Sequence, residues 1–143
     1  MEQTPDIKQF VAGRAFIVHE GKVLIIRESE KYKTGSNIGL YDFPGGKFKP
    51  GEYYADALKR EALEECGLDI EIIKPFYVAE WGKKVKDVSQ IQIIGIFFEC
   101  RVQNPHVVLG ADHDDYKWMP IAEYKNFSLI KENVEACEAY VKL

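Results

Sequence analysis

The sequence predicts an α/β (α+β) fold, a sandwich in which a mixed β-sheet lies between helices. Two observations predict it. β-favouring apolar runs occupy the first thirty residues and most of residues 70–102, and two segments that read as helices follow a glycine-rich turn and close the chain. At 143 residues the chain has the length of one domain, and no repeat, low-complexity tract or linker divides it, so a single domain over 1–143 is expected.

Val11 to His19 and Val23 to Ile26 are short β-favouring runs joined by Glu20-Gly21, which reads as a hairpin. From Ser29 to Gly39 the pattern dissolves into polar residues, a loop of the length that often borders a binding site. Tyr41-Asp42-Phe43 then leads into Pro44-Gly45-Gly46. After Pro50-Gly51, Tyr53 to Cys66 has no internal Pro or Gly and stops at Gly67, the mark of a helix closed by a C-terminal glycine. Ile70 to Trp81 and Gln90 to Val102 read as strands, the second buried on part of both faces. Tyr116 to Met119 is a last short strand, and Lys131 to Lys142 spaces Val134, Cys137, Tyr140 and Val141 as an amphipathic helix.

Composition removes several functional classes. A hydrophobic fraction of 46% with 29% charged residues describes a folded soluble chain, and no window approaches a membrane span. The net charge of −4 argues against long nucleic acid as a partner. Cys66, Cys100 and Cys137 are odd in number and widely spaced, so they form no zinc or redox motif. Together with a first segment that lacks a targeting pattern, they point to a reducing, cytoplasmic setting.

The chemistry concentrates between Gly46 and Leu68. On a helix turning about 100° per residue, Glu61, Glu64 and Glu65 fall near 0°, 300° and 40°, so these carboxylates share one face. Leu58, Ala62, Ala55 and Cys66 occupy an adjoining arc on which the helix docks. Like charges at this spacing repel, and Arg60, placed to pair with Glu52 and Glu64, is a single cation against four acids. A hard divalent ion with oxygen ligands, Mg²⁺ or Mn²⁺, is the natural remaining partner. The Gly45-Gly46 turn offers backbone carbonyls and lets the chain approach an ion or phosphate closely. An isolated Glu-x-x-Glu-Glu is usually a solvated helix face, but the nine specified positions here would coincide by chance on the order of once in 10⁹ starts.

Gly46, five residues, Glu52, seven residues, then Arg60-Glu61-Ala62-Leu63-Glu64-Glu65-Cys66-Gly67-Leu68 resembles the Nudix box of pyrophosphohydrolases, with Ala62 smaller than the usual aliphatic residue. The resemblance implies an α/β/α sandwich carrying the box as loop, helix and loop. It implies that Glu61, Glu64 and Glu65 bind metal and serve the attacking water, that the Gly45 carbonyl completes the metal shell, and that Glu52 and Arg60 brace the site with Gly46. The implied reaction is Mg²⁺- or Mn²⁺-dependent hydrolysis of a pyrophosphate bond in a nucleoside diphosphate-linked small molecule, with a nucleoside triphosphate such as an oxidised dNTP the preferred class. Dinucleoside polyphosphates, nucleotide sugars and a non-catalytic nucleotide-binding role are the alternatives. Similar proteins frequently dimerise. The general base is left open between a box glutamate and an acid from a later loop.

That later acid is Asp112, which sits where similar proteins carry an acidic ligand or base before a Trp-containing strand. Asp114 and Asp115 read as a solubilising turn and His113 as a hydrogen-bonding surface residue. Arg27, at the end of the second strand, is the expected ligand of the substrate phosphates. Lys31, Lys33, Lys47 and Lys49 read as solvated. Tyr32, Tyr41, Trp81 and Phe97 are the aromatics considered for base stacking. The resemblance to 8-oxo-dGTP pyrophosphatases draws attention to Asn126 and Asn133 as base readers, against their plainer reading as a helix-end cap and a polar surface residue.

Overall fold

Alternation along the first strand decides the architecture. In the computed structural model, which describes residues 6–30, 39–85 and 88–143, β1 (Lys8–His19) buries Ala15 and Ile17 toward one core and Phe16 and Val18 toward the other. A strand whose successive side chains are both apolar needs cover on both faces. Each face receives a helix.

β1 turns through Glu20 and Gly21, with φ of 50° and 77°, into the antiparallel β2 (Lys22–Glu28). On its other side β1 runs parallel to β6 (Val88–Arg101), which is itself antiparallel to the edge strand β5 (Glu71–Val85). β3 (Tyr41–Asp42) and β7 (His113–Pro120) flank β2, while β4 (Gly45–Lys47) pairs with β1. The sheet is therefore mixed. Under one face lies α1 (Tyr54–Cys66), whose Leu58, Ala62 and Cys66 pack with Ala15, Ile17, Leu24, Ile26, Phe98 and Cys100. Over the other lies α2 (Lys131–Val141), whose Ala136 and Cys137 join Phe16, Phe43, Phe97 and Met119. A 3-10 turn at Ile121–Asn126 connects β7 to this layer.

The helix limits follow from local chemistry. Gly67 adopts φ 69° and its N–H donates to the Leu63 carbonyl at 3.0 Å, closing α1. The docking arc differs from expectation at one position: Ala57 is fully buried and Ala55 only partly. The reason is that α1 packs against β4 as well as β1, which covers its first turn on the side facing the glycine turn. β3 and β4 have too few residues to show a periodicity, so they read as loop in the sequence. All three cysteines are buried and unpaired, and burial pushes each thiol up to about 12, consistent with packed hydrophobes. No helix among the described residues is long and apolar enough to cross a membrane. The expected loop is described only at its ends, because residues 31–38, including Lys31, Tyr32 and Lys33, lie outside the described residues.

Leu58 is wholly enclosed between helix and sheet. Leu58→Ala should lower stability by roughly 2–5 kcal/mol. Urea unfolding checks this, with the midpoint falling and the slope unchanged; a loss within experimental error would mean that α1 is not docked through this residue.

Candidate active site

The glycine turn sets how closely the helix can approach. A Cβ on Gly45, whose φ is 154°, would lie 2.0 Å from the Gly13 carbonyl oxygen, and one on Gly46 would lie 2.9 Å from Glu61 Oε1. Side chains at these two positions would force β4 off β1 and push the helix carboxylate away. With glycine at both, the Gly45 N–H donates to Glu65 Oε2 at 2.9 Å, pinning the acidic face of α1 to the turn.

Arg60 gathers the other acids. Its Nη2 lies 3.1 Å from Glu52 Oε2, and its Nη1 lies 3.2 Å from Glu61 Oε1 and 3.5 Å from Glu64 Oε2. Glu52 arrives from the turn before the helix, where its Oε1 also accepts the Lys49 N–H at 3.1 Å. That backbone bond, with Arg60 second, holds the Glu52 carboxyl below its ordinary range. The acids on the helix behave differently. Burial raises Glu61, against the pull of Arg60 and with the repulsion of Glu64. Burial pushes Glu65 up to about 8, against the Gly45 N–H and with help from the Glu61 charge.

Three carboxylates thus surround one guanidinium with Glu65 beside them, and Glu61 and Glu65 are raised by lost hydration that the nearby guanidiniums offset only in part. Among the described residues no group of three or more His, Cys, Asp or Glu side chains stands placed to hold a metal ion. Glu64, with 61% of its side chain exposed, leans toward Arg60 instead. The donors are all hard oxygens on one helix face beside an open backbone turn. That set suits Mg²⁺ or Mn²⁺ and not a thiolate- or imidazole-seeking ion.

A second polar group lies on the other face of β1. Asp42 Oδ1 accepts the Asn133 Nδ2–H at 2.7 Å and its own neighbour Phe43 N–H at 2.7 Å, while Oδ2 lies 3.6 Å from Arg14 Nη2. The Arg14 guanidinium stands over the Trp81 ring, 5.4 Å from its centre. Asp42, Asn133, Arg14 and Trp81, with Gly82, Ile130 and Glu132, line a cleft of about 200 Å³. Asn133 is not the surface residue its position suggested: it is 2% exposed, whereas Asn126 stays exposed at the end of the 3-10 turn. Sequence reasoning passed over Arg14 and Asp42. A lone charge inside the small and apolar run Val11 to Val18 was the available signal for Arg14.

A third group forms where β2 meets β7. Arg27 Nε donates to Asp114 Oδ1 at 2.7 Å, and the Tyr41 hydroxyl donates to Asp115 Oδ2. The solubilising reading of Asp114 and Asp115 therefore gives way to two specific contacts. His113 is half-buried rather than superficial, and burial lowers its pKa. Asp112 is exposed in the turn before β7, its carbonyl accepting the Ser29 N–H at 2.9 Å. Of the stacking aromatics among the described residues, Tyr41 and Phe97 are buried in the core and Trp81 lines the cleft.

A mixed sheet between two helices, with a glycine turn feeding an acidic helix, defines a scaffold for phosphoanhydride chemistry. Residues 9–139 match the family described as the NUDIX domain, and the chain belongs to that family, whose members are hydrolases acting on pyrophosphate bonds. It is 30% identical over 122 residues to the nucleoside triphosphatase NudI of Klebsiella pneumoniae (strain 342), covering 79% of this chain and 83% of that one. It is 28% identical over 138 residues to the CTP pyrophosphohydrolase of Escherichia coli (strain K12), covering 96% and 95%. Its fold is shared with the MutT protein from Methanosarcina mazei Go1, at a TM-score of 0.81 with 24% identity over 97% of each chain.

The raised Glu65 carboxyl makes the metal-free protein pH-sensitive. The folded state holds this proton up to about pH 8, whereas the unfolded chain releases it near the ordinary glutamate value of 4.5. Stability present below the lower value is therefore lost as pH rises through the upper one. Thermal unfolding in chelator should show a melting temperature that falls between pH 5 and pH 8, and Glu65→Gln should flatten that slope. A slope of equal size in the variant would assign the dependence to other groups.

Proposed function

We propose that the chain hydrolyses a phosphoanhydride bond of a nucleoside triphosphate, with Glu61, Glu64, Glu65 and the Gly45 carbonyl holding Mg²⁺ or Mn²⁺. When bound, the ion supplies Lewis acidity toward phosphate oxygens and toward water at neutral pH. The observation that carries the reading is the unbalanced charge of the acidic helix face beside a turn that only glycine can form. Arg60 and Glu52 hold that face in position. Arg27 receives the phosphates, and Asp112 and Glu64, both exposed, are the candidates to take the proton of the attacking water.

The base of the nucleotide fits the cleft between α2 and the sheet. At about 200 Å³ it is smaller than the roughly 300–1,000 Å³ of sites that enclose a whole drug-sized ligand, as suits one ring system. An ionised carboxylate only accepts hydrogen bonds, so Asp42 requires the Asn133 amide to face it with the nitrogen. The Asn133 oxygen is then the acceptor offered to a ligand, and Arg14 is the donor. An edge with an amino group beside a ring acceptor, as on cytosine or adenine, complements this pair. The names of the two curated relatives, a nucleoside triphosphatase and a CTP pyrophosphohydrolase, support the triphosphate class.

A panel of nucleoside triphosphates, dinucleoside polyphosphates and nucleotide sugars, assayed with Mg²⁺ and with Mn²⁺ for released pyrophosphate and orthophosphate, tests the reading. Triphosphates with an amino-bearing base should exceed the uracil and thymine triphosphates in kcat/KM by about tenfold or more, the scale of a mismatched buried hydrogen bond. Equal rates would remove the base assignment, and inactivity throughout would remove the enzymatic one. Glu64→Gln should reduce kcat by roughly 10²–10⁴ while leaving the melting temperature within about 2 °C, because Glu64 is largely exposed. Full turnover in that variant would show that Glu64 neither holds the ion nor handles the proton.

A further inference from the structure

The strand pairing around Arg27 contains an irregularity that the reaction described above does not use. Between β2 and β7 the register slips: Arg27 faces Asp115, Glu28 faces His113, and Asp114 is the extra residue between them. Such a bulge bends its strand and turns a side chain toward a place that a regular ladder would not reach. Here it brings the Asp114 carboxylate onto Arg27 Nε at 2.7 Å. Arg27 is the largest of the influences that hold this carboxylate below its ordinary range, and the backbone of Glu30 and of Asp114 itself acts in the same direction. The guanidinium is also set from the neighbouring strand, with its carbon 5.9 Å from the centre of the Tyr41 ring, whose hydroxyl is engaged by Asp115.

The form of the contact matters more than its charge. A carboxylate that only balances a guanidinium engages it most strongly through two parallel N–H bonds. Asp114 instead takes Nε alone, and among the described residues neither terminal nitrogen of Arg27 has a hydrogen-bond partner. Those two nitrogens are the fork that matches phosphate oxygens. We infer that Asp114 is a positioning residue: the bulge in β7 places it to hold Arg27 by Nε, so that the terminal nitrogens of the guanidinium are ordered for the polyphosphate before substrate arrives. The inference rests on the reading of Arg27 as the phosphate ligand. Both side chains are about one-third exposed, so water and salt screen the repulsion between Asp114 and the incoming anion. Ordering the long Arg27 side chain in advance is the larger effect on binding.

The test compares Arg27→Ala, Asp114→Ala, Asp114→Asn and the Arg27→Ala/Asp114→Ala pair in the full chain. Steady-state kinetics on the preferred triphosphate and the Kd of its α,β-methylene analogue give two readouts, the second independent of turnover. Arg27→Ala should raise both KM and Kd. Asp114→Ala should raise them roughly three- to tenfold, the scale of ordering one rotamer-rich side chain, with kcat changed less than about twofold. Asp114→Asn should restore them, since its amide oxygen still accepts from Nε. Asp114→Ala should add nothing once Arg27 is alanine. A lower KM in Asp114→Ala would overturn the inference by making Asp114 a competitor of phosphate, and an equal effect in both Arg27 backgrounds would overturn it by making Asp114 a support of the fold. If Arg27→Ala itself changes nothing, the phosphate reading of Arg27 falls and the inference with it. That outcome differs from one in which Arg27→Ala weakens binding and Asp114→Ala does not.

Discussion

Mutual repulsion among carboxylates that share too little countercharge is the constraint on which the rest of the molecule depends. Glu52, Glu61 and Glu64 meet at one guanidinium with Glu65 beside them on the same helix, and burial raises Glu61 and Glu65 above the ordinary carboxylate range. Such a cluster stays together only if the surrounding structure enforces it. The enforcement comes from hydrophobic packing one arc away on the same helix, where Leu58, Ala62 and Cys66 are fully buried. It comes also from backbone contacts that cost no charge: the Gly45 N–H on Glu65 and the Lys49 N–H on Glu52. Core energy holds the polar face in a state it would not choose alone, as strained functional sites generally require.

The mixed sheet then divides the work between its faces. α1 brings charge to one side, and α2 closes a cleft on the other with Asn133 and Glu132 at its lining. β1 serves both through its alternation. Gly13 makes room for the Phe48 ring and for Leu58 of α1, and its neighbour Arg14 reaches Asp42 at the cleft. Asp42 is the electrostatic link between the groups: its charge contributes to the rise of Glu65 and acts on His113.

Legibility in the sequence followed the range of the interaction. The hairpin at Glu20-Gly21, the two helices and the two long strands were readable because each depends on contacts within a few residues, expressed as turn chemistry or periodicity. The grouping of Glu52, Arg60 and the helix acids was readable for the same reason, since one helix and its preceding turn contain all of them. Asp42, Arg14 and Asn133 were not. They come from three elements separated by up to 119 residues in sequence (14 to 133) and meet through the pairing of β3 with β2, of β2 with β1, and the docking of α2. β3 and β4 were invisible because two- and three-residue strands carry no period, although they fix where Asp42 and the glycine turn stand.

Asp114 shows why the acidic run before the Trp-containing strand misled a reading by composition. Three aspartates around a histidine look like a solvated turn, and for a chain in regular register two of them would indeed alternate between faces. The register slip breaks that alternation. Adjacent residues Asp114 and Asp115 are consequently directed to different partners, one to Arg27 and the other to Tyr41, which face each other across β2 and β3. One inserted residue therefore directs a run of like charges to two separate partners, the Arg27 guanidinium and the Tyr41 hydroxyl. No count of residue types can register this, because the information lies in the pairing of the strands and not in their content.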